Sequence, residues 1–258
     1  MDPDAIVRRY LMQEDIGAFA FSKDTLILRL SQLIDFSATQ LDPITEAASQ
    51  QVEKHAQALY GTLWHFYSGA LRREVLRAFQ LSIAAARESN QSVDYLEIGS
   101  CQGVSMGAIG SMLRSYGALG KLTSIDPYFA AGYPEGRDGP WGEDFHIQID
   151  KRSRNMALQL YVRLGLKVEL VEKISRDGLV ELIRRDRKYN LIYIDGSHEG
   201  LNPIADFGLC QALIAPGGII MLDDPYWPDV VPVRELCQRR LELVAECWKV
   251  VAFRVPAA

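Results

Sequence analysis

In YIDGSHEG (193–200), Asp195, Gly196 and His198 fall within four residues, directly after an apolar run that opens near Asn190. A turn accounts for the glycine alone. An acid and a histidine arriving together suit work on a proton or a cation, because imidazole accepts a proton near neutral pH and a carboxylate attracts positive charge. Acids also close other apolar runs: Glu97 in VDYLEI, Asp126 in KLTSID, and Asp223 with Asp224 in GGIIMLDD. Taken singly, a loop histidine is often structural or solvated, and a DD pair after GG is a common turn or N-cap. The joint pattern favours a site.

These residues meet only if the runs that carry them lie side by side. Short apolar runs alternate with longer amphipathic ones after Asn90, which predicts a parallel sheet with helices on both faces. The predicted strands are 93–98, 121–126, 167–171, 189–195 and 217–223. The stretch LELVAECWKVVAFRV (241–255) has no room for a further crossover helix, so an antiparallel pair at the sheet edge is expected. From about residue 23 to 89 the apolar spacing is helical, as in DTLILRLSQLIDF and TLWHFYSGALRREVLRAFQLSIAAAR, with Asn90 closing the last segment. Between Tyr128 and Asp144, FAAGYPEGRDGPWGE is rich in Gly, Pro and aromatics and reads as a mobile loop or lid.

VDYLEIGSCQGVSMGAI runs from a strand through Gly99, Ser100, Gly103 and Ser105 into a helix, the arrangement in which backbone approaches a ligand at a helix N-terminus. The GxGxxG spacing of dinucleotide sites is absent, and no Lys-Ser/Thr pair follows as in a phosphate loop. Instead Glu97 is placed to hold a ligand's ammonium group and Asp126, ending the next strand, to hold two ribose hydroxyls. An amino acid joined to a nucleoside describes S-adenosylmethionine. The structural alternative is a tight strand-to-helix turn with acids that cap helices.

YLEIGSCQGVS, SIDPY, YNLIYIDGSHEG and LIAPGGIIMLDD resemble, in order and spacing, the successive motifs of class I S-adenosylmethionine-dependent methyltransferases. Within them the likeness is to the macrocin and mycinamicin O-methyltransferase group, over about residues 90 to 255. This resemblance implies an α/β fold: a doubly wound, mostly parallel seven-stranded, Rossmann-like sheet of order 3-2-1-4-5-7-6. With the helical spacing before Asn90, the chain is expected to divide into an N-terminal helical segment, 1–90, serving as a cap or oligomer surface, and a methyltransferase domain, 91–258. In that sheet order Asp195, Asp223 and Asp224 converge, and their all-oxygen set suits Mg²⁺. The resemblance further implies that these three are metal ligands, that Asp195 also serves cofactor and catalysis, and that His198 is the general base. The chemistry agrees, since an attacking alcohol must lose its proton. Where related enzymes carry a Gly-Asp-Ser turn to the adenine, this chain has Lys173, Ile174 and Ser175. Only Ser175 matches, and it serves equally well as a helix cap, as does Asp177.

A formal charge of −5 gives no basic footprint for nucleic acid or anionic membrane. No run approaches the roughly 18 to 20 apolar residues of a membrane helix, and MDPDAIVRRY lacks the pattern of a secretory leader, so a cytoplasmic protein is expected. Cys101, Cys210, Cys237 and Cys247 form no CxxC pair and read as buried free thiols. Tyr133, Trp141 and Phe145, with Tyr226 and Trp227, are expected as a group to wall a pocket for a small-molecule hydroxyl acceptor. His65 reads as a core or interface residue, and Arg72 and Arg73 as a solvated helix face. A homo-oligomer is the expected assembly. Alternatives are a metal-free methyltransferase working through His198, a non-catalytic nucleotide-binding module of the same fold, and a protein like the cephalosporin hydroxylases of the same broad group.

Overall fold

A computed structural model describes residues 40–61, 68–128 and 153–257. The helix expected over 24–36, His65, and the loop aromatics Tyr133, Trp141 and Phe145 lie outside the described residues. All described residues belong to one unit, Ala38–Ala258.

Seven strands form one sheet: β1 (Val93–Ile98), β2 (Leu119–Ile125), β3 (Val168–Val171), β4 (Tyr189–Ile194), β5 (Ile214–Asp223), β6 (Glu242–Glu246) and β7 (Val250–Arg254). Their order is β3-β2-β1-β4-β5-β7-β6. The pairs from β3 to β5 are parallel, whereas β7 runs antiparallel to both β5 and β6. The order and the edge hairpin are those expected. The strand boundaries shift by one or two residues elsewhere, and the largest difference is at β5, which begins at Ile214, three residues before the predicted start. Pro216-Gly217-Gly218 forms a bulge inside the strand, with Gly217 at φ +72° and a register shift against β4.

The sheet is covered on both faces by helices α1 (Pro43–Tyr60), α2 (Arg73–Arg87), α3 (Val104–Ser115), α4 (Ser153–Leu164), α5 (Ser175–Arg184), α6 (Asn202–Cys210) and α7 (Val231–Arg240). Strand side chains alternate between faces, so Tyr95, Leu191, Tyr193, Ile219 and Met221 pack with α1 to α4, and Leu96, Ile98, Ile192, Ile194, Ile220 and Leu222 with α5 to α7. Helix α1 starts from Asp42, whose carboxylate accepts from Thr45 N at 2.8 Å, with Pro43 in the first turn. Its Val52 and Ala56, like Phe79 and Ile83 of α2, are fully buried in the first of these layers. Among the described residues no helix is long and apolar enough to cross a membrane.

Candidate functional site

Parallel pairing aligns the carboxyl ends of the central strands. Ile98 is level with Ile125 on one side and Ile194 on the other, and Ile194 is level with Leu222. Gly99, Asp126, Asp195 and Asp223 therefore stand along one edge, where open α/β sheets bind ligands. The glycine loop is held in left-handed backbone at three of five positions, Gly99 (φ +83°), Cys101 (+47°) and Gly103 (+82°). A Cβ on Gly103 would lie 2.5 Å from the Tyr161 hydroxyl oxygen. No side chain caps α3 at Gly103, so its first-turn N–H groups are not taken by a cap.

Beneath this loop the acids are tied to donors of the protein itself. Glu97 is fully buried; its Oε1 accepts from Ser105 Oγ at 2.7 Å and its Oε2 from the Tyr95 hydroxyl at 2.5 Å. Burial pushes its carboxyl up to about 7, although the two hydroxyls act the other way. Asp126 accepts from Cys101 N and Tyr128 N, each at 2.8 Å, joining the glycine loop to the exit of β2. The Ser100 hydroxyl bonds Ser124 and lies 3.2 Å from the Tyr128 hydroxyl. Ser100 and Ser105 thus build the floor of the loop.

The opposite half of the edge is a charge cluster. The Asp195 carboxyl hydrogen-bonds Asp223. Burial, then the Asp223 charge, pushes Asp195 well above the usual carboxylate range. Burial also works to raise Asp223, but the Lys249 ammonium and His198 outweigh it and hold Asp223 low. Asp195 is thus the weaker acid of the two and Asp223 the stronger. Asp223 is fully engaged: its Oδ1 accepts from the Tyr193 hydroxyl, and its Oδ2 lies 2.6 Å from Lys249 Nζ. Asp224, at φ +41°, turns so that its amide donates to the Lys249 carbonyl at 2.7 Å and its Oδ1 accepts from Lys249 Nζ at 3.3 Å. His198 Nε2 stands 3.9 Å from Asp195 Oδ1 and 3.7 Å from Asp223 Oδ2. Those separations are too long for hydrogen bonds, so neither acid takes Nε2, which is left for another partner. Trp227 packs near it, with ring centroids 6.2 Å apart.

The expected Mg²⁺ ligands do not form an open oxygen cage. Asp195, His198 and Asp223 each offer one ligand atom within 4.8 Å of the others. Yet both oxygens of Asp223 and one of Asp224 already face donors of this chain. An ammonium bonded to two of the three aspartates does not fit a divalent ion held by the same oxygens, because two cations in one cluster repel.

Other expected residues are placed as follows. The cap of α5 is Ile174, with no side-chain bond, so neither Ser175 nor Asp177 fills that role. The Ser175 hydroxyl instead bonds Asp206 of α6. Asp206 is almost fully buried with one oxygen unpartnered, and burial pushes it up to about 6. Tyr226 and Trp227 separate: Trp227 stands by His198, whereas Tyr226 bonds Glu246 at 2.9 Å and stacks under Arg234. Arg72 is not simply solvated, since its guanidinium lies 5.0 Å from the Trp248 ring, and Arg73 pairs with Glu46 at 3.0 Å. Cys210, Cys237 and Cys247 are buried free thiols, and Cys101 is a free thiol of intermediate exposure. Sequence reasoning missed Lys249, Tyr95 and Tyr193. The tyrosines had a signal, because Tyr two residues before an acid in YLE and YID puts phenol and carboxyl on one face. Lys249 had only its isolation in an apolar run.

The sequence has no significant match among curated proteins. Solved structures do resemble the chain. A calicheamicin methyltransferase, CalS11, is 16% identical with a TM-score of 0.54, over 86% of this chain and 96% of its own. The O-methyltransferase NovP is 14% identical with a TM-score of 0.54, over 81% and 99%. An S-adenosylhomocysteine-bound methyltransferase from Podospora anserina is 14% identical with a TM-score of 0.52, over 92% and 97%. At such identities the likeness is one of fold, which is the class I methyltransferase fold. Residues 96–225, which hold the glycine loop, Asp126, Asp195, His198 and both acids of the LDD motif, match the family model described as a methyltransferase domain, and the chain belongs to that family.

Proposed function

We propose that the protein transfers a methyl group from S-adenosylmethionine to a hydroxyl of a small molecule, with His198 as general base. One observation carries this reading: His198 Nε2, unbonded, faces the Asp195–Asp223 pair on the sheet edge that also carries the glycine loop and Asp126. Three-coordinate sulfonium supplies the methyl carbon when the cofactor is bound. Asp126 would hold the ribose hydroxyls, and Glu97, with the amides of the Gly99–Gly103 loop, the amino-acid end. An acceptor hydroxyl beside His198 loses its proton to Nε2 as its oxygen forms the bond to the methyl carbon. The electron pair of the broken carbon–sulfur bond stays on sulfur. The negative Asp223 nearby stabilises the imidazolium that results, and holding the reactants in line supplies much of the acceleration.

The name of one similar structure, an O-methyltransferase, supports a hydroxyl acceptor, and the motif resemblance implies one of the sugar or polyketide kind. A cytoplasmic homo-oligomer is the setting we propose, with light scattering as the check on assembly. A second reading places Mg²⁺ among Asp195, His198 and Asp223, whose ligand atoms lie within 4.8 Å of one another, and it requires Lys249 to leave Asp223.

Isothermal titration of S-adenosylhomocysteine into the purified protein tests the cofactor class. Binding at about micromolar affinity is expected. Absence of heat at high ligand concentration would remove the methyl-transfer reading and leave the non-catalytic module. Product mass then separates methylation from hydroxylation.

A further inference from the structure

The cation of this site is built into the chain. Lys249 Nζ lies 2.6 Å from Asp223 Oδ2 and 3.3 Å from Asp224 Oδ1, and about a fifth of the side chain is exposed. Its position is not that of a wandering surface lysine. The backbone is pinned where the Lys249 carbonyl accepts from Asp224 N and where Val250 pairs with Asp223. The stem passes over Gly69, whose added Cβ would meet Lys249 Cε at 3.9 Å. The neighbouring Trp248 is held from α2 and its entry, by an indole bond to Glu74 at 2.9 Å and by the Arg72 guanidinium on its ring. Meanwhile Tyr193 occupies the other oxygen of Asp223.

We propose that Lys249 is the resident counter-ion of the Asp195–Asp223–Asp224 cluster, standing where related acid clusters would take a divalent metal, so that this methyltransferase holds the acids beside His198 without one. The proposal rests on the methyl-transfer reading for its catalytic meaning, but the charge balance it describes does not. A single ammonium bonded to Asp223 and Asp224 offsets part of the charge of three adjacent carboxylates, which a buried set of acids requires. Lys249 acts on the acceptor only through the acids and His198, and is in that sense a positioning residue.

The test is binding of Mn²⁺ alone, read by the loss of its free electron-spin signal, to the full-length protein with and without S-adenosylhomocysteine. The unaltered protein is expected to bind Mn²⁺ no tighter than about 1 mM, and its melting temperature to ignore the metal. Lys249→Met leaves three acids without a cation; it should bind Mn²⁺ at least about tenfold more tightly and regain more than about 3 °C of lost melting temperature when the metal is added. Lys249→Arg, which keeps the charge, should behave as the unaltered protein does. Micromolar Mn²⁺ binding by the unaltered protein, competed by Mg²⁺, overturns the proposal. So does a folded Met variant that gains no affinity, or an Arg variant that gains it. If the Met variant does not fold, the unaltered protein and the Arg variant still decide. Failure to bind S-adenosylhomocysteine would instead strike the methyl-transfer reading and leave the metal result standing.

Discussion

A Cβ placed on Gly99 would lie 1.9 Å from the carbonyl oxygen of Asp195. The exits of β1 and β4 are thus in backbone contact, and Asp195 N donates to Ile98 O at 2.9 Å in the same place. The glycine loop and the loop from Asp195 to His198 share one wall, and only glycine fits it.

Gly99→Ala combines that collision with a left-handed φ of +83°. Left-handed backbone alone costs an L-residue about 1 to 2 kcal/mol. The variant should lose at least about 2 kcal/mol of stability, read as a lower urea midpoint, because either loop must move. An unchanged midpoint would mean that the two exits are not packed as described.

Glu97 makes stability fall with pH. Its carboxyl ordinarily titrates at 4.5 and in the fold at about 7. Between those values the folded state keeps a proton that the unfolded state has released, so raising the pH favours unfolding. The shift corresponds to about 3 kcal/mol by pH 8. Glu97→Gln should abolish that share of the pH dependence; urea midpoints at pH 4.5 and 8 for both proteins provide the comparison, and equal slopes would refute it.

Asp126→Asn replaces one of two oxygens that accept from loop amides with a group that cannot accept. Affinity for S-adenosylhomocysteine should weaken by about 1 to 3 kcal/mol, the scale of hydrogen bonds to a charged group. Titration calorimetry that finds the affinity unchanged would sink the ribose assignment.

His198→Gln removes the proposed base but keeps polar bulk beside Trp227. Turnover should drop by about 10² to 10⁴, while cofactor affinity stays within about twofold, since the ring contacts neither Glu97 nor Asp126 in the described hydrogen bonds. Parallel loss of both would mark His198 as structural.

Much of this edge was legible in sequence. Alternating apolar runs ending in acids gave β1, β4 and β5 within a few residues, because parallel central strands are apolar on both faces and stop where polar residues begin. The length of the closing stretch gave the antiparallel pair. What the pattern does not contain is register. Lys249 reaches Asp223 because the turn at Cys247–Lys249 sets Val250 level with Asp223, across a separation of 26 residues, and no local periodicity encodes that meeting. Ser175 failed differently: a serine opening a helix suggests a cap, but the buried Asp206 of α6 competes for the hydroxyl and wins.

Strands β5 and β6 follow one another along the chain but are not neighbours in the sheet, because β7 lies between them. Asp223 and Asp224 stand at the end of β5 and Lys249 directly before β7, so the antiparallel pairing that covers the β5 edge is also what carries the ammonium to the acids. A change that loosens the β5–β7 pairing therefore loosens the charge cluster with it.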